Sequence, residues 1–225
     1  MKILVVAPHP DDETLGAGGS IRRFADEGHI VSVLTITAHM PPLYSAEVHE
    51  QTLEEARAAH KVLGVAESIF LDNPALALGE LGAAELNKIL TDHVEAVTPD
   101  ILLIPYLDRH IDHRLVFDAC MVAARPINAA RRIKLVAAYE TISSTHWTAP
   151  HIEPNFTPNL VVDITEQIDA KLDAISHFKS QLQEFPGSRS VEALKALALF
   201  RGSQAGYGYG EGFHVIRMGA ELFLN

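Results

Sequence analysis

Residues Lys2 to Ala7 read KILVVA, an apolar, β-branched run in which no polar residue returns at every second position. A strand with one wet face alternates, whereas a run like this one suits a strand covered on both faces, as in a parallel sheet. The pattern returns at Ile30–Thr37, Ser68–Leu71 and Asp100–Pro105, and the stretches between, Leu15–Glu27, Glu47–Leu63, Ala83–Val97 and, after the fourth run, Asp112–Ala124, read as helices. Glu47–Leu63 carries Val48, Leu53, Ala56, Ala59, Val62 and Leu63 near one face, and Gly28 and Gly64 close the first two helices. Strand and helix in alternation make βαβ units with right-handed crossovers. The expected class is therefore α/β: an open, mostly parallel sheet with helices on both faces. Further strands are expected at Lys134–Glu140, Asn159–Ile164 and His214–Met218, with helices at Glu166–Gln181 and Val191–Phe200. No repeat, linker or low-complexity tract interrupts residues 1–225, which are expected to form a single domain.

Charge narrows the partners. Lys and Arg number 18 against 29 Asp and Glu, a formal charge of −11, which is the wrong sign for gripping phosphate backbones, so nucleic acid is not expected. No apolar run approaches the ~20 residues of a membrane span, and Met1–Ala7 is too short for the apolar region of a signal peptide. With a single cysteine, Cys120, and no internal disulfide to form, a cytoplasmic protein is expected. The compositional oddity is histidine, with 12 copies.

Directly after the first strand stands Ala7-Pro8-His9-Pro10-Asp11-Asp12-Glu13, and directly after the fourth stands Asp108-Arg109-His110-Ile111-Asp112-His113. Each cluster opens a helix. Open α/β sheets bind ligands beyond the carboxyl ends of the strands, where the strand order reverses. In the common order 3-2-1-4-5 the first and fourth strands flank that point, and the two clusters face each other across a crevice. Two imidazoles and one carboxylate form a hydrolytic zinc set with a fourth position for water, and His9, Asp12 and His113 can supply it. Asp11, Asp12 and Asp112 would also suit helix N-caps. Caps alone do not explain why histidines and surplus carboxylates gather in the same two loops. Asp11, next to Asp12, is the nearest candidate for a base that collects a proton from water. His110, as a protonated imidazole, is a candidate for stabilising an oxyanion. Asp108, Asp112 and Glu13 are candidates for the carboxylate partners that ligand histidines usually have.

These clusters resemble the motifs of the PIG-L and LmbE-like deacetylases. Their A-H-P-D-D-E motif appears as Pro8-His9-Pro10-Asp11-Asp12-Glu13, with proline before His9, and their H-x-D-H motif as His110-Ile111-Asp112-His113. Glu55, Ala59, Leu63 and Gly64 fit E-x-x-x-A-x-x-x-L-G, followed in order by Ser180-Gln181, Arg201-Gly202 and Tyr209–Phe213 as Y-x-E-x-F, so the resemblance runs along nearly the whole chain. It implies a Rossmann-like fold. It also implies a zinc-dependent hydrolase that removes the acetyl group of an N-acetylglucosamine-type sugar or sugar conjugate, with Fe2+ or another divalent ion as an alternative to Zn2+. Position by position, it implies zinc on His9, Asp12 and His113, Asp11 as general base, His110 on the oxyanion or the leaving amine, and Asp112 tuning His110. Relatives commonly assemble into homo-oligomers, and the same is expected here.

The departures concern recognition. Relatives acting on sugar conjugates often carry an arginine where this chain has Thr52, and Arg57 on the same helix reads as a solvated charge. Where many relatives have T-x-G after the second strand, this chain has Thr37-Ala38-His39, and His39 has two readings: a wall of the crevice, or the commoner packing role of a lone histidine. The segment Ser143–Pro158 is either a loop over the site or inert. Gly16, Gly18 and Gly19 invite a dinucleotide reading, but Ile21 stands where its third glycine would be, and close helix-to-sheet packing explains them better. Two rivals accompany the deacetylase expectation: an amidase of the same fold that cleaves another N-acyl bond, in a thiol conjugate or an antibiotic precursor, and a non-catalytic sugar- or metal-binding module. The second has no need of Asp11 and His110.

Overall fold

The computed structural model describes residues 1–149, 151–153 and 155–222. In chain order the elements are β1 (Lys2–Ala7), α1 (Asp12–Asp26), β2 (Ile30–Ala38), α2 (Ala46–Leu63), β3 (Glu67–Pro74), α3 (Leu78–Val97), β4 (Ile101–Pro105), α4 (Ile111–Ala123), β5 (Leu135–Tyr139), β6 (Leu160–Asp163), α5 (Ile168–Ser176), α6 (Val191–Ser203) and β7 (Gly210–Met218). One sheet contains all seven strands in the order β3-β2-β1-β4-β5-β7-β6. The first five are parallel in the order 3-2-1-4-5, and β7 and β6 join antiparallel at one edge.

The unbroken apolar runs have a direct explanation. Ile3 and Val5 of β1 pack into a core with α1, α2 and α5, while Leu4 and Val6 pack into a second core with α3 and α4 on the opposite face. Both sides of the central strand are sealed from water, so no position is left for the alternating polar residue. Helix ends follow local chemistry: Ser45 and Ser190 cap α2 and α6 through their hydroxyls, and Gly64 takes a left-handed φ of 74° after α2.

Gly16 and Gly19 of α1 are required by packing. A Cβ on Gly16 would stand 2.2 Å from Tyr139 Cδ2 and 2.5 Å from the Glu140 carbonyl, and one on Gly19 would stand 2.6 Å from Ile164 Cδ1. The backbone of α1 thus lies directly on the sheet. Several boundaries differ from expectation, four of them instructively. α1 begins three residues early, at Asp12, with Asp12 and Glu13 in its first turn where the helix dipole favours carboxylates. α3 begins at Leu78 and breaks at Gly82, whose φ of 74° no helix continues through, and the expected helix from Ala83 is the part beyond that break. α5 stops at Ser176 rather than Gln181, because the Glu55 carboxylate on α2 accepts hydrogen bonds from Ser180 N and Oγ and holds the chain in a turn. β7 starts at Gly210, four residues before the expected His214. Of the Ser143–Pro158 segment, Pro150 and Pro154 lie outside the described residues. No helix among the described residues is long and apolar enough to cross a membrane.

Candidate active site

β1 and β4 are neighbours, so the loops that follow them meet. His9, His110 and His113 each present a nitrogen within 4.8 Å of the others. Between two of them sits the buried Asp12 carboxylate, whose Oδ2 lies 3.0 Å from His9 Nδ1 and 3.2 Å from His113 Nε2. The other nitrogen of each of these rings has a carboxylate of its own: His113 Nδ1 lies 2.9 Å from Asp108 Oδ2, and His9 Nε2 lies 2.9 Å from Asp112 Oδ2. Thr145 donates to the same Asp108 oxygen at 3.0 Å, and the Leu76 N–H donates to the same Asp112 oxygen at 2.8 Å.

Asp12 with the two imidazoles offers three donors of the kind that hold a divalent ion. Ligand atoms about 2.0–2.2 Å from an ion in a tetrahedron stand about 3.3–3.6 Å apart, close to the spacing found between Asp12 and the two imidazoles. Asp12 Oδ1 is buried without a hydrogen-bond partner among the described residues, a costly state for a carboxylate oxygen unless a cation satisfies it. Burial alone would lower the pKa of His113, but the Asp12 and Asp108 carboxylates raise it to about 10. Burial alone would raise that of Asp12, yet His113 and His9 hold it well below the carboxylate range.

Asp11 stands at the N-cap position of α1 but does not cap it. Its φ of 135° is strained for a residue with a side chain, at a cost of roughly 1–3 kcal/mol, and its side chain makes no hydrogen bond to the helix end. Arg189 Nη1 donates to Asp11 Oδ2 at 2.8 Å, while Oδ1 has no partner among the described residues. Asp11 lines the cavity although it is only 2% exposed. Burial raises its pKa to about 7, against the opposing pull of Arg189. The real cap of α4 is His110, whose Nδ1 accepts the Asp112 N–H at 3.2 Å.

Several expectations are corrected here. The Asp112 carboxylate pairs with His9, as expected of a partner for a ligand histidine, and it meets His110 through its backbone N–H and through space rather than by a carboxylate hydrogen bond. For His110, expected as a protonated imidazole, burial, then His9 and His113, lower the pKa to about 4, and its Nδ1 accepts the Asp112 N–H. Glu13 faces His60 at 3.3 Å and Thr14, not a metal-binding histidine. His39 does reach the crevice, where its ring lies 4.5 Å from Tyr44. Thr52 is buried and donates back to the Val48 and His49 carbonyls of its own helix, and Arg57 is exposed, over the Phe70 ring.

The cavity above the cluster has a volume of about 110 Å³. Its walls include His39 and Tyr44 after β2, Leu76 after β3, Ser144 after β5, and Gln181 and Arg189 from the loop between α5 and α6. Arg189 was not anticipated from the sequence. It lies 178 residues from Asp11, in a turn whose residues carry no periodic or motif signal. Two of the other matched residues join distant elements: Arg201 forms a buried bidentate pair with Glu140, and Glu211 accepts from the Gly19 and Ser20 N–H groups of α1.

The family model described as PIG-L, GlcNAc-PI de-N-acetylase, matches residues 4–124. The diacetylchitobiose deacetylase of Thermococcus kodakarensis is 30% identical over 239 residues, covering 100% of this chain and 85% of its own. Among solved structures, the N,N'-diacetylchitobiose deacetylase of Pyrococcus horikoshii superimposes with a TM-score of 0.74 at 26% identity, over 99% of this chain and 88% of that one. A 4-carboxy-2-hydroxymuconate hydratase from Pseudomonas putida KT2440 has a TM-score of 0.74 at 22% identity over 96% and 95% of the two chains, a likeness of fold alone.

Proposed function

The chain belongs to the PIG-L family of de-N-acetylases, and we propose that it is a metal-dependent hydrolase that removes the acetyl group from an N-acetylglucosamine-type sugar or sugar conjugate, releasing acetate and a free amine. The observation that carries this reading is the Asp12 carboxylate shared by His9 and His113, beside an Asp11 whose second oxygen is free.

His9, Asp12 and His113 would hold the ion, with Asp112 and Asp108 orienting the two imidazoles. Zn2+ suits this donor set, as does Fe2+. When bound, such an ion supplies Lewis acidity toward the amide carbonyl and toward water. Asp11, with a pKa near 7, takes a proton from the attacking water through Oδ1 and returns it to the nitrogen that leaves as the amine. Arg189 keeps the carboxylate from swinging onto the end of α1. His110 donates a hydrogen bond from its Nε2–H to the former carbonyl oxygen as negative charge gathers there and keeps its proton. Asp112 contributes by fixing His9 and by directing the His110 ring through its own N–H. Residues 1–225 act as one deacetylase-like domain in this reading, which is supported by a single sheet drawing strands from both halves of the chain.

The test is to incubate metal-replete protein with a panel of N-acetylglucosaminides and other N-acyl compounds and to measure free amine. Product from the N-acetylated sugars is expected. Product only from other N-acyl compounds, or none at all, would overturn the assignment.

A further inference from the structure

We infer that Arg189 binds a ring hydroxyl of the substrate sugar, the one on the carbon next to the acetamido carbon, and thereby sets which neutral sugars the site accepts. This rests on the deacetylase reading above and assigns it a specificity residue.

Arg189 Nη1 is fully used, donating to Asp11 Oδ2 at 2.8 Å and to Gln181 Oε1 at 3.0 Å, and Nε approaches Ser143 Oγ at 3.4 Å. Nη2 has no hydrogen-bond partner among the described residues, and Arg189 is one of the residues that line the cavity. A guanidinium is a rigid planar fork, so anchoring one nitrogen fixes the direction of the other. The backbone beneath it is held as well, since Gln183 N donates to the Arg189 carbonyl and Arg189 N to Gln183 Oε1, both at 3.3 Å. The result is a held guanidinium, beside the base and on the cavity wall, that keeps one nitrogen unpaired among the described residues.

Charge decides what those groups receive. Arg189 is the one Lys or Arg among the residues lining the cavity. It is matched by Asp11, and Asp12, Asp108 and Asp112 lie around the same cluster. Four carboxylates against one guanidinium and one divalent ion leave no positive field to attract an anion. An uncharged hydroxyl oxygen suits the free N–H groups instead. Position decides which one. Asp11 uses its free oxygen on the water that attacks the acetamide, and Arg189 holds the other oxygen, so the guanidinium stands one carboxylate away from the reacting centre. On a 2-acetamido sugar the ring oxygens nearest that nitrogen are on C1 and C3, and in a conjugate C1 carries the aglycone. The C3 hydroxyl remains.

The experiment is a cycle of protein and ligand changes. Wild type, Arg189→Gln and Arg189→Lys, all metal-replete, are given an N-acetylglucosaminide and its 3-deoxy analogue for kcat and KM, and the corresponding free-amine glycosides for calorimetric Kd. In wild type, loss of the hydroxyl is expected to weaken binding and kcat/KM about ten- to a hundredfold, the usual effect of deleting a hydrogen bond to a charged group. Arg189→Gln should bind both ligands weakly and differ between them by less than about threefold. Arg189→Lys should recover most of kcat, because a cation still faces Asp11, but not the discrimination, because it lacks the second nitrogen. Full discrimination retained in both variants would overturn the inference and leave Arg189 as a positioning residue for Asp11 alone. If wild type turns over neither glycoside but the calorimetric cycle still shows the coupling, the deacetylase reading fails and the hydroxyl contact stands. A calorimetric cycle without coupling overturns the contact whatever the turnover.

Discussion

Asp11 and His110 each occupy the cap position of a helix, and they use it in opposite ways. Asp11 gives up capping for a strained φ that presents its carboxylate to Arg189 and the cavity. Asp11→Asn keeps the shape and removes the base, so kcat should fall about 10²- to 10⁴-fold while metal analysis shows the ion still bound. Metal loss in that variant would instead make Asp11 part of the ligand set. His110 does cap its helix, so His110→Ala should both slow turnover by about 10²- to 10³-fold and lower stability by about 1 kcal/mol. His110→Asn supplies a cap without the imidazole, and it should restore the melting temperature but not kcat. Recovery of both would reduce His110 to a cap. At this scale the sequence was legible in the two motifs themselves. It was not legible in the pairings, because which carboxylate meets which ring depends on rotamers that spacing along the chain does not determine.

At the scale of elements, the site depends on how closely α1 lies on the sheet. Gly16 makes that contact possible, its Cα facing Tyr139 of β5 and the Glu140 carbonyl with no room for a methyl group. Gly16→Ala should destabilise the fold by about 1–3 kcal/mol through overpacking, with a fall of about 2–4 °C per kcal/mol in a chain of this size, measured by thermal unfolding. An unchanged melting temperature would show that α1 can lift away freely. The alternation of strands and helices was readable because each βα unit announces itself through apolar runs and Gly caps. The end of α5 was not, because it is set by Glu55 of α2 gripping Ser180, 125 residues away.

The whole molecule is held at its antiparallel edge by buried ion pairs between distant elements. Burial would raise the pKa of Glu140, but Arg201 on α6 and then His146 hold it below the ordinary carboxylate value. A carboxylate with a depressed folded-state pKa contributes stability above its unfolded value, about 4.3, and loses it as pH falls through the folded value. Wild type should therefore melt at steeply lower temperature as pH drops from about 5 to 3. Glu140→Gln should flatten that limb and lower stability at pH 7 by of order 3 kcal/mol, because Arg201 is left buried and uncompensated. Parallel limbs in the two proteins would exclude Glu140 as a source of acid sensitivity.

The sequence by itself determined the sheet class and the two loops that carry the histidines and carboxylates. These follow from local periodicity and from residues adjacent in the chain. Only the tertiary structure decided that β7 and β6 close the sheet antiparallel, that Asp112 serves His9, that burial lowers the pKa of His110, and that Arg189 joins Asp11 from the far end of the chain. Those outcomes depend on burial and on contacts between residues distant in sequence, and such contacts exist only once the sheet has brought the strand ends together.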